Sequence, residues 1–409
     1  MERVVFYAKS LLLQRNEFYA MTDLEDFIRE HREDDVRELA LKANSYANVD
    51  MSKALVQIDG WQRARRKLPL WASTDGIVYP VHLSMEQCSS EITARYKASI
   101  VEGGKRVADL TAGFGVDATV LASRYVHLTY VERNEELCRI ARNNLPLLGV
   151  DSVDVICGEA EDVLSSLPRQ DLIFLDPARR DMHGGKVVSI ADCTPNVCLL
   201  QKLLVGKADA VLIKLSPMID LSCVERELGC VQEIHVVSVE NECKEVLVKM
   251  SAADKCDMRM ICVNLVEGKE AMVFSFTRGE EALARCNYAE VVESYLYEPN
   301  ASIMKAGCFK RIAEWFGISK LHPNSHLYTS DSYVEDFPGR AFRVLGVYSP
   351  KSKKREGVGV AQANISVRNF PMSVADLRKR LKLREGGDDY IFATTLADGR
   401  RVLLLCKKV

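Results

Sequence analysis

The feature that most constrains the fold is an alternation of short apolar segments with helical segments from Val107 to about Met250. The seven apolar segments read RVADL, VHLTYVE, SVDVICG, QDLIFLD, ADAVLIKL, IHVVSV and EVLVKM. Strands that alternate with helices predict an α/β fold built on a doubly wound, Rossmann-like sheet of seven strands. Only residues 240–243 separate the last two strands, so we expect an antiparallel hairpin at one edge of the sheet.

The regions on either side of this core have a different pattern. Residues 1–97 place apolar side chains at helical spacing, as in LEDFIREHREDDVRELALKANSYA, which predicts a helical N-terminal region. After Ser251 we expect two strands, then helices over 280–296 and 302–317, then four strands around a helix at SVADLRKRL. This α+β order predicts a division of the chain at 1–97, 98–278, 279–338 and 339–409.

Charge is distributed unevenly along a chain whose net charge is only −2. Residues 340–409 hold 16 Lys and Arg against 6 Asp and Glu, a net charge of +10, which leaves −12 for residues 1–339. A concentration of positive charge favours an anionic partner, or else a well-solvated surface. The basic residues lie in a loop and along one helix: Lys351, Lys353, Lys354 and Arg355, then Arg378, Lys379, Arg380, Lys382 and Arg384.

Composition also bears on location and metal content. No run approaches the roughly 18 apolar residues of a membrane span, and the N-terminus lacks the pattern of a secretory signal. We therefore expect a cytoplasmic protein without a membrane partner. The 13 cysteines are scattered through apolar segments and form no CxxC pair, so we expect buried thiols and no metal.

A glycine turn between the first strand and the next helix indicates a ligand site. The segment Asp109-Leu110-Thr111-Ala112-Gly113-Phe114-Gly115 leads from strand to helix, and its glycines let a ligand approach the helix N-terminus. The second strand ends in Glu132, placed like the acid that accepts hydrogen bonds from a ribose in nucleoside-binding α/β folds. Together these features predict an adenosine-containing cofactor.

Two cofactors fit this turn, because residues 113–118 also match the GxGxxA pattern of dinucleotide-binding folds. The carboxylate of Asp109 would repel a pyrophosphate, whereas it favours the ammonium group of S-adenosylmethionine. The fourth strand ends in Asp176-Pro177-Ala178-Arg179-Arg180, at the edge where open α/β sheets bind ligands. An NAD(P)-dependent oxidoreductase stays the alternative to an enzyme that uses S-adenosylmethionine.

With these motifs, residues 84–250 resemble the class I S-adenosylmethionine-dependent methyltransferases. DLTAGFG looks like the first motif of the family in the form DxTCGxG, found among RNA methyltransferases, and DPARR occupies the place of the (D/N)PPx catalytic motif. The resemblance implies S-adenosylmethionine as the cofactor. Thr111 stands in place of the first family glycine and is counted with the cofactor site.

The same resemblance implies a role for each matching residue. Besides Thr111, those implied to bind the cofactor are Asp109, Gly113 and Gly115 at the methionine part, Glu132 at the ribose, and Glu159 and Ala160 at the adenine. The residues implied at the catalytic position are Asp176, Pro177 and Arg179.

A bacterial branch of this family is more closely similar, through EQCSSEITARYKA at 86–98, DPARR and LIKLSP. SYLYEPNASIMKAG and ANISVRNFPMSVADLRKRL look like signatures of its C-terminal half. The branch implies a helical N-terminal region at 1–97, a methyltransferase core at 98–278, a ferredoxin-like segment at 279–338 and a THUMP-like domain at 339–409. Because THUMP domains bind RNA, the resemblance implies a structured RNA as the substrate.

The acceptor motif favours a base nitrogen over a base carbon. Amino-group methyltransferases similar to this chain stack an aromatic side chain on the base at the fourth motif position; Arg179 stands there, and its guanidinium can stack or bind phosphate. DPAR also resembles the motif of uracil-C5 RNA methyltransferases, which need a cysteine nucleophile. Because Leu215-Ser216-Pro217 occupies that cysteine's segment and the next cysteine is Cys223, we expect nitrogen methylation.

Other interpretations stay open for single residues and for the whole chain. Asp176 and Pro177 can form a strand-ending turn, and Arg179 and Arg180 can be solvated surface. Glu159 can be an acid in the first turn of a helix, where it stabilises the helix dipole. A non-catalytic RNA-binding protein that retains the fold is a further alternative, because a fold alone does not determine a function.

Overall fold

The computed structural model of the protein describes residues 24–179, 189–252, 257–350 and 358–409. The chain divides into two compact units. Of the described residues, the first unit comprises 24–179 and 191–213, and the second comprises 189–190 and those from 214 onward. Arg180 and the predicted basic loop at 351–355 lie outside the described residues. Within the described ranges, no helix is both long enough and apolar enough to cross a membrane.

Helices form the N-terminal part of the first unit, as the apolar spacing predicts. Two of them begin with an aspartate cap: Asp35 accepts hydrogen bonds from two N–H groups of the next helix, and Asp50 accepts one. Their apolar faces enclose a core that includes Phe27, Leu39 and Ile58. The helices are α1 (24–31), α2 (Val36–Leu41), α3 (Met51–Lys67), α4 (Pro69–Ser73), α5 (His82–Gln87) and α6 (Glu91–Ser99), with a 3₁₀ turn at Ala43–Ser45.

Parallel strands and their connecting helices form the rest of the first unit. The strands are β1 (Gly104–Asp109), β2 (Tyr125–Glu132), β3 (Val153–Cys157), β4 (Gln170–Leu175) and β7 (Ala208–Leu215, of which 208–213 belong to this unit). The helices are α7 (Val116–Ala122), α8 (Glu135–Leu147), α9 (Ala160–Ser166) and α10 (Val197–Lys207). A separate short ladder joins β5 (Ala178–Arg179) to β6 (Cys193–Thr194), after a 3₁₀ turn at Ile190–Asp192.

The order of these parallel strands positions the candidate site. They lie in the order β7-β4-β1-β2-β3, and every neighbouring pair is parallel. The chain moves outward from β1 through β2 and β3, and then returns to the other side of β1 with β4. Ligands of open α/β sheets bind at such a reversal, outside the carboxyl ends of the strands. The α/β, Rossmann-like prediction is therefore confirmed.

The second unit contains two strands that the prediction counted in the core and two that it placed after the core. It contains α11 (Leu221–Glu227), β8 (Val231–Val239), β9 (Glu242–Met250), β10 (Arg259–Leu265) and β11 (Met272–Thr277), with strand order β11-β10-β8-β9. β8 and β9 form the expected antiparallel hairpin, but β8 is not an edge strand because β10 pairs with it in parallel. Five parallel strands of the first unit and these four strands of the second stand in place of the seven predicted, because β10 and β11 were expected after the core.

A seven-stranded sheet forms the C-terminal part of the second unit. Its core contains Leu296, Phe342, Phe392 and Leu404. The strand order is β13-β14-β12-β15-β18-β17-β16. The strands are β12 (Tyr295–Pro299), β13 (Ser319–Lys320), β14 (Tyr328–Ser330), β15 (Gly339–Tyr348), β16 (Asn364–Arg368), β17 (Asp389–Thr395) and β18 (Arg401–Lys408), and the helices are α12 (Arg278–Leu283), α13 (Ala301–Ala306), α14 (Arg311–Phe316) and α15 (Val374–Leu381).

Two helix predictions in this region are wrong. The helix expected over 280–296 ends at Leu283, because backbone hydrogen bonds join Asn287 and Ala289 to Lys320 of β13. The helix expected over 302–317 is two helices. It breaks at Gly307, whose φ of 75° ends α13 in the left-handed conformation.

Candidate active site

The glycine turn after β1 has the backbone geometry that glycine allows. Gly113 and Gly115 have φ values of 57° and 94°, and Gly115 is the N-cap residue of α7. A Cβ atom at Gly115 would also lie 3.3 Å from the buried ring of Tyr130. A side chain at Gly115 would therefore be crowded by Tyr130 as well as strained by the backbone conformation.

Asp109 lies at the end of β1, at the base of this turn, and its side chain is buried. Its Oδ1 accepts a hydrogen bond from the Thr111 N–H at 3.0 Å, whereas Oδ2 has no hydrogen-bond partner among the described residues. Burial raises the pKa of Asp109 well above its usual range, and the negative charges of Asp117, Asp176 and Glu132 raise it further. A buried carboxylate with an unsatisfied oxygen indicates a place for a positively charged group.

Glu132 ends β2 and is tied directly to the glycine turn. One carboxylate oxygen accepts a hydrogen bond from the Gly113 N–H at 3.0 Å, and the other accepts one from the Asn134 N–H at 2.9 Å. The Tyr130 hydroxyl donates a hydrogen bond to the Gly113 carbonyl. The residues predicted for the methionine and ribose parts of the cofactor are thus brought together.

Glu159 and Ala160 follow β3, next to the end of β2. The Gly158 N–H donates to the Glu132 carbonyl at 3.1 Å, which brings the two strand ends together. Glu159 is the exposed N-cap residue of α9, and its side chain makes no capping hydrogen bond within the described structure. The acids in the first turn of α9 are instead Glu161 and Asp162, so the first-turn interpretation of Glu159 does not match its position.

The predicted acceptor segment follows β4 and contacts the turn through Thr111. The Asp176 N–H donates to Thr111 Oγ1 at 2.6 Å, and Pro177 is buried. The backbone of Ala178 and Arg179 pairs with β6. Asp109, Thr111 and Asp176 therefore lie at one sheet edge, as predicted from their positions after β1 and β4.

A buried ion pair behind the turn contains residues that the motif analysis did not single out. Lys97 of α6 is fully buried, and its Nζ lies 3.0 Å from Oδ1 of Asp117 and 3.0 Å from Oγ of Ser89. The Ser89 hydroxyl donates to Oδ2 of Asp117 at 2.6 Å. Ser89 and Lys97 belong to EQCSSEITARYKA, but this segment also contains Glu91 and Arg95, so its sequence gives no signal that Lys97 is the buried charge.

The predicted basic helix α15 belongs to the second unit and is partly structural. Arg378 is only half-exposed, and its Nη1 donates to the carbonyls of Ala363 at 3.1 Å and Arg384 at 3.2 Å. Lys379 and Lys382 are exposed. No group of three or more His, Cys, Asp or Glu side chains suited to a metal ion occurs within the described ranges.

Comparisons with known proteins identify two C-terminal domains and a relative that is similar over nearly the whole of both chains. Residues 295–338 match a ferredoxin-like domain model, and residues 339–408 match a THUMP domain-like model. A protein from Porphyromonas gingivalis W83, assigned as a methyltransferase, has a crystal structure with a TM-score of 0.86 to this one. The two sequences are 37% identical, and the match covers 95% of this chain and 98% of the other.

A second relative is a curated 23S rRNA (uracil(747)-C(5))-methyltransferase from Pyrococcus abyssi (strain GE5 / Orsay), 31% identical over 163 residues. That match covers 36% of this chain and 39% of the relative. The chain therefore spans well under half the length of the Pyrococcus protein. Because the Porphyromonas protein is similar over nearly its whole length, the chain belongs to the class I S-adenosylmethionine-dependent methyltransferases that carry C-terminal ferredoxin-like and THUMP-like domains.

Proposed function

We propose that the protein transfers a methyl group from S-adenosylmethionine to a structured RNA in the cytoplasm. The observation that carries the proposal is the meeting of Asp109, Glu132 and Asp176 at the carboxyl ends of adjacent parallel strands, joined through Gly113 and Thr111. The charges of Asp117, Glu132 and Asp176 all act on Asp109 there, although Asp117 is also paired with Lys97. Once Asp109 ionises, carboxylates at this edge favour the ammonium and sulfonium of S-adenosylmethionine over a pyrophosphate, and hence a methyltransferase over an oxidoreductase.

The residues present fit this cofactor. Asp109 Oδ2 would accept a hydrogen bond from the ammonium group, which would satisfy a buried oxygen that has no partner among the described residues. Gly113 and Gly115 would leave room for the methionine part, and Glu132 would hold the ribose hydroxyls. Glu159 and Ala160 would contact the adenine. When bound, the cofactor supplies the methyl group on a positively charged sulfur.

The chain's own residues would hold the acceptor in line with that sulfur. Asp176 and the carbonyl next to Pro177 would hydrogen-bond a base amine, and Arg179 would stack on the base or bind phosphate. Orientation accounts for most of the catalysis in such a displacement, because the reacting atoms must be held about 3–3.5 Å apart. Thr111 fixes the Asp176 backbone and thereby positions the acceptor segment.

Methylation of carbon is the second candidate, because the Pyrococcus relative is named for uracil C5. That chemistry needs a cysteine nucleophile to activate the ring carbon. The segment after β7 is Ser216-Pro217, and the next cysteine, Cys223, lies within α11. We therefore infer a base nitrogen as the acceptor.

The RNA substrate is supported by the C-terminal part of the chain. Residues 339–408 match a THUMP domain-like model, and residues 340–409 carry the net charge of +10. Positive charge on one domain binds the phosphate backbone of RNA regardless of sequence. We also propose the domain division at 1–97, 98–278, 279–338 and 339–409, of which the matches at 295–338 and 339–408 support the last two domains.

Nucleoside mass spectrometry of RNA from cells with and without the gene tests the proposal. We expect one N-methylated nucleoside to disappear without the gene and to return with the wild-type gene but not with Asp176→Ala. In vitro, Asp176→Ala should keep its affinity for S-adenosylmethionine and slow methyl transfer about 10²-fold, because the acceptor loses its alignment. Glu132→Ala should instead weaken cofactor binding by about 1–3 kcal/mol.

Three outcomes would contradict parts of this proposal. Loss of 5-methyluridine, or a covalent complex with RNA containing 5-fluorouridine, would establish the carbon acceptor. Loss of cofactor binding in Asp176→Ala would remove its proposed role in transfer. An unchanged nucleoside profile, together with RNA binding and no cofactor binding, would favour a non-catalytic RNA-binding protein.

A further inference from the structure

A buried carboxylate holds two arginines at one end of the C-terminal sheet. Glu298 of β12 is only 2% exposed, and each of its carboxylate oxygens accepts from a different guanidinium. Oε2 accepts from Arg340 Nε at 2.9 Å, and also from its Nη2. Oε1 accepts from Arg368 Nε at 3.2 Å and Nη2 at 2.8 Å. Each guanidinium therefore donates to Glu298 through its Nε and Nη2 atoms.

Curling of the sheet brings these residues together. β12, which carries Glu298, and β16, which carries Arg368, are separated in the sheet order by β15, β18 and β17. The Ser366 hydroxyl of β16 nevertheless lies 3.3 Å from Oε1 of Glu298. The two arginines thus reach Glu298 from strands that do not pair with each other, and their spacing is set by the tertiary fold.

The outer parts of both guanidiniums remain available to a ligand. The Arg340 and Arg368 side chains are 34% and 38% exposed, and Nη1 of neither donates a hydrogen bond to a described residue. The Arg340 guanidinium also lies 5.5 Å from the Phe342 ring centre, which further restricts its motion. One carboxylate needs only one cation for neutrality, so this group of three charges retains a net positive charge.

The surroundings add to this positive potential. Burial is the main cause that lowers the pKa of His326 to about 4, and the positive charges of Lys320 and Arg368 lower it further. His326 itself is therefore uncharged at neutral pH, and its lowered pKa reflects the positive charges of Lys320 and Arg368 around it. A ligand that enters this place should carry negative charge.

We propose that Arg340 and Arg368 bind a phosphodiester group of the RNA backbone, with Glu298 holding the two guanidiniums at a defined spacing. This inference rests on the proposed RNA substrate and names a site where that RNA is held, in the second unit. Planar guanidinium forks match phosphate oxygens, and arginines that are already immobilised lose less conformational entropy on binding. The site contributes affinity and orientation, because phosphate contacts carry no sequence information.

The test measures binding of the full-length protein to a short mixed-sequence RNA hairpin by fluorescence anisotropy over a series of salt concentrations. We expect Arg340→Gln and Arg368→Gln each to weaken binding and to reduce the log-log salt slope by about 0.7–0.9, the change for one phosphate that is no longer neutralised. Arg343→Gln is the matched control, because Arg343 is exposed on the same strand as Arg340 but on the opposite face. It should change binding much less.

Lysine variants distinguish a loss of phosphate recognition by the planar guanidinium from a loss of folding. Arg340→Lys and Arg368→Lys keep a positive charge beside Glu298, so the fold is retained, but they lose the planar fork. We expect their affinity to lie between wild type and the Gln variants. Equal effects of Arg343→Gln and the other two Gln variants would overturn the inference, as would lysine variants that bind like wild type.

Two further results have distinct meanings. Binding of inorganic phosphate that depends on Arg340 and Arg368 but does not displace the hairpin would assign the site to a free phosphate ion and overturn the phosphodiester assignment. Absence of RNA binding by the wild-type protein would contradict the proposed RNA substrate and, with it, this site. Binding by the wild-type protein without a difference between variants would overturn only the site.

Discussion

The hydroxyl of Thr111 accepts a hydrogen bond from the backbone N–H of Asp176 at 2.6 Å. Thr111 belongs to the glycine turn after β1, and Asp176 follows β4, so this bond connects the proposed cofactor turn to the proposed acceptor segment. The Thr111 N–H also donates to Oδ1 of Asp109 at 3.0 Å. The general family motif resembled by this turn has a glycine at this position, which has no hydroxyl to make such a bond, whereas the form DxTCGxG has the threonine.

We predict that Thr111→Val slows methyl transfer more than it weakens cofactor binding. The valine removes the acceptor of the Asp176 N–H, a loss of about 1–3 kcal/mol, while it keeps the backbone N–H that binds Asp109. Calorimetry with S-adenosylhomocysteine measures the binding, and single-turnover kinetics measure the transfer.

Thr111→Ser is the control, because serine keeps the hydroxyl and should restore most of the transfer rate. If Thr111→Val lost cofactor affinity as strongly as Asp109→Asn, Thr111 would belong to the cofactor site itself and would not position Asp176.

We predict that affinity for S-adenosylmethionine rises with pH as Asp109 ionises. The pKa of Asp109 is raised well above its usual range by burial and by three nearby carboxylates, so a proton must leave before the carboxylate can bind an ammonium. At pH values below the raised pKa of Asp109, cofactor binding should therefore release a proton. Calorimetry in buffers of different protonation enthalpy measures the release.

The stability of the cofactor-free protein should have the opposite pH dependence. An unfolded aspartate ionises near pH 3.9, so stability falls as the pH rises from about that value through the raised pKa of the folded state. Asp109→Asn should remove both effects, and Asp162→Asn, at an exposed acid of α9, should keep them. A wild-type affinity that does not change with pH would contradict the prediction.

We predict that Lys97→Met destabilises the first unit strongly. Lys97 is fully buried beside Asp117, which is only 10% exposed, so the substitution takes the ion-pair partner from a buried carboxylate at a cost of about 3–5 kcal/mol. Urea denaturation of the full-length protein measures the loss.

The double variant Lys97→Met with Asp117→Asn should recover much of that stability, because the unpaired charge is gone. Lys105→Met, at an exposed position of β1, is the control for a lysine-to-methionine change and should have little effect. Equal stability of Lys97→Met and Lys105→Met would show that the ion pair is not important for folding.

We predict different effects for basic residues of α15. Lys379→Gln with Lys382→Gln should reduce the log-log salt slope of RNA binding by about 0.7–0.9 for each phosphate that the variant no longer binds, because both lysines are exposed. Arg378→Gln should mainly lower stability, because its guanidinium donates to two backbone carbonyls. Fluorescence anisotropy and thermal unfolding of the same variants distinguish the two effects. A salt slope unchanged by the lysine substitutions would show that Lys379 and Lys382 are solvated and do not contact RNA.

Much of the fold and of the proposed site could be predicted from local sequence patterns. The seven strands of the core, the glycine turn and the acids after β1, β2 and β4 follow from residue spacing, because a strand or a turn is encoded by neighbouring residues. Parallel strands then bring Asp109, Glu132 and Asp176 to one edge without any knowledge of their side-chain contacts. The basic helix α15 and its flanking strands were predictable for the same reason.

Tertiary structure decided what depends on residues far apart in the chain. Local patterns do not specify which strands pair, so the parallel pairing of β10 with β8 and the end of α12 at Leu283 were not predicted. The same limit applies to the bond between Thr111 and Asp176, to the burial of Lys97 beside Asp117, and to the convergence of Arg340 and Arg368 on Glu298. Each joins groups whose distance is set by packing, since a buried charge or polar group is stable only where the folded chain supplies its partner.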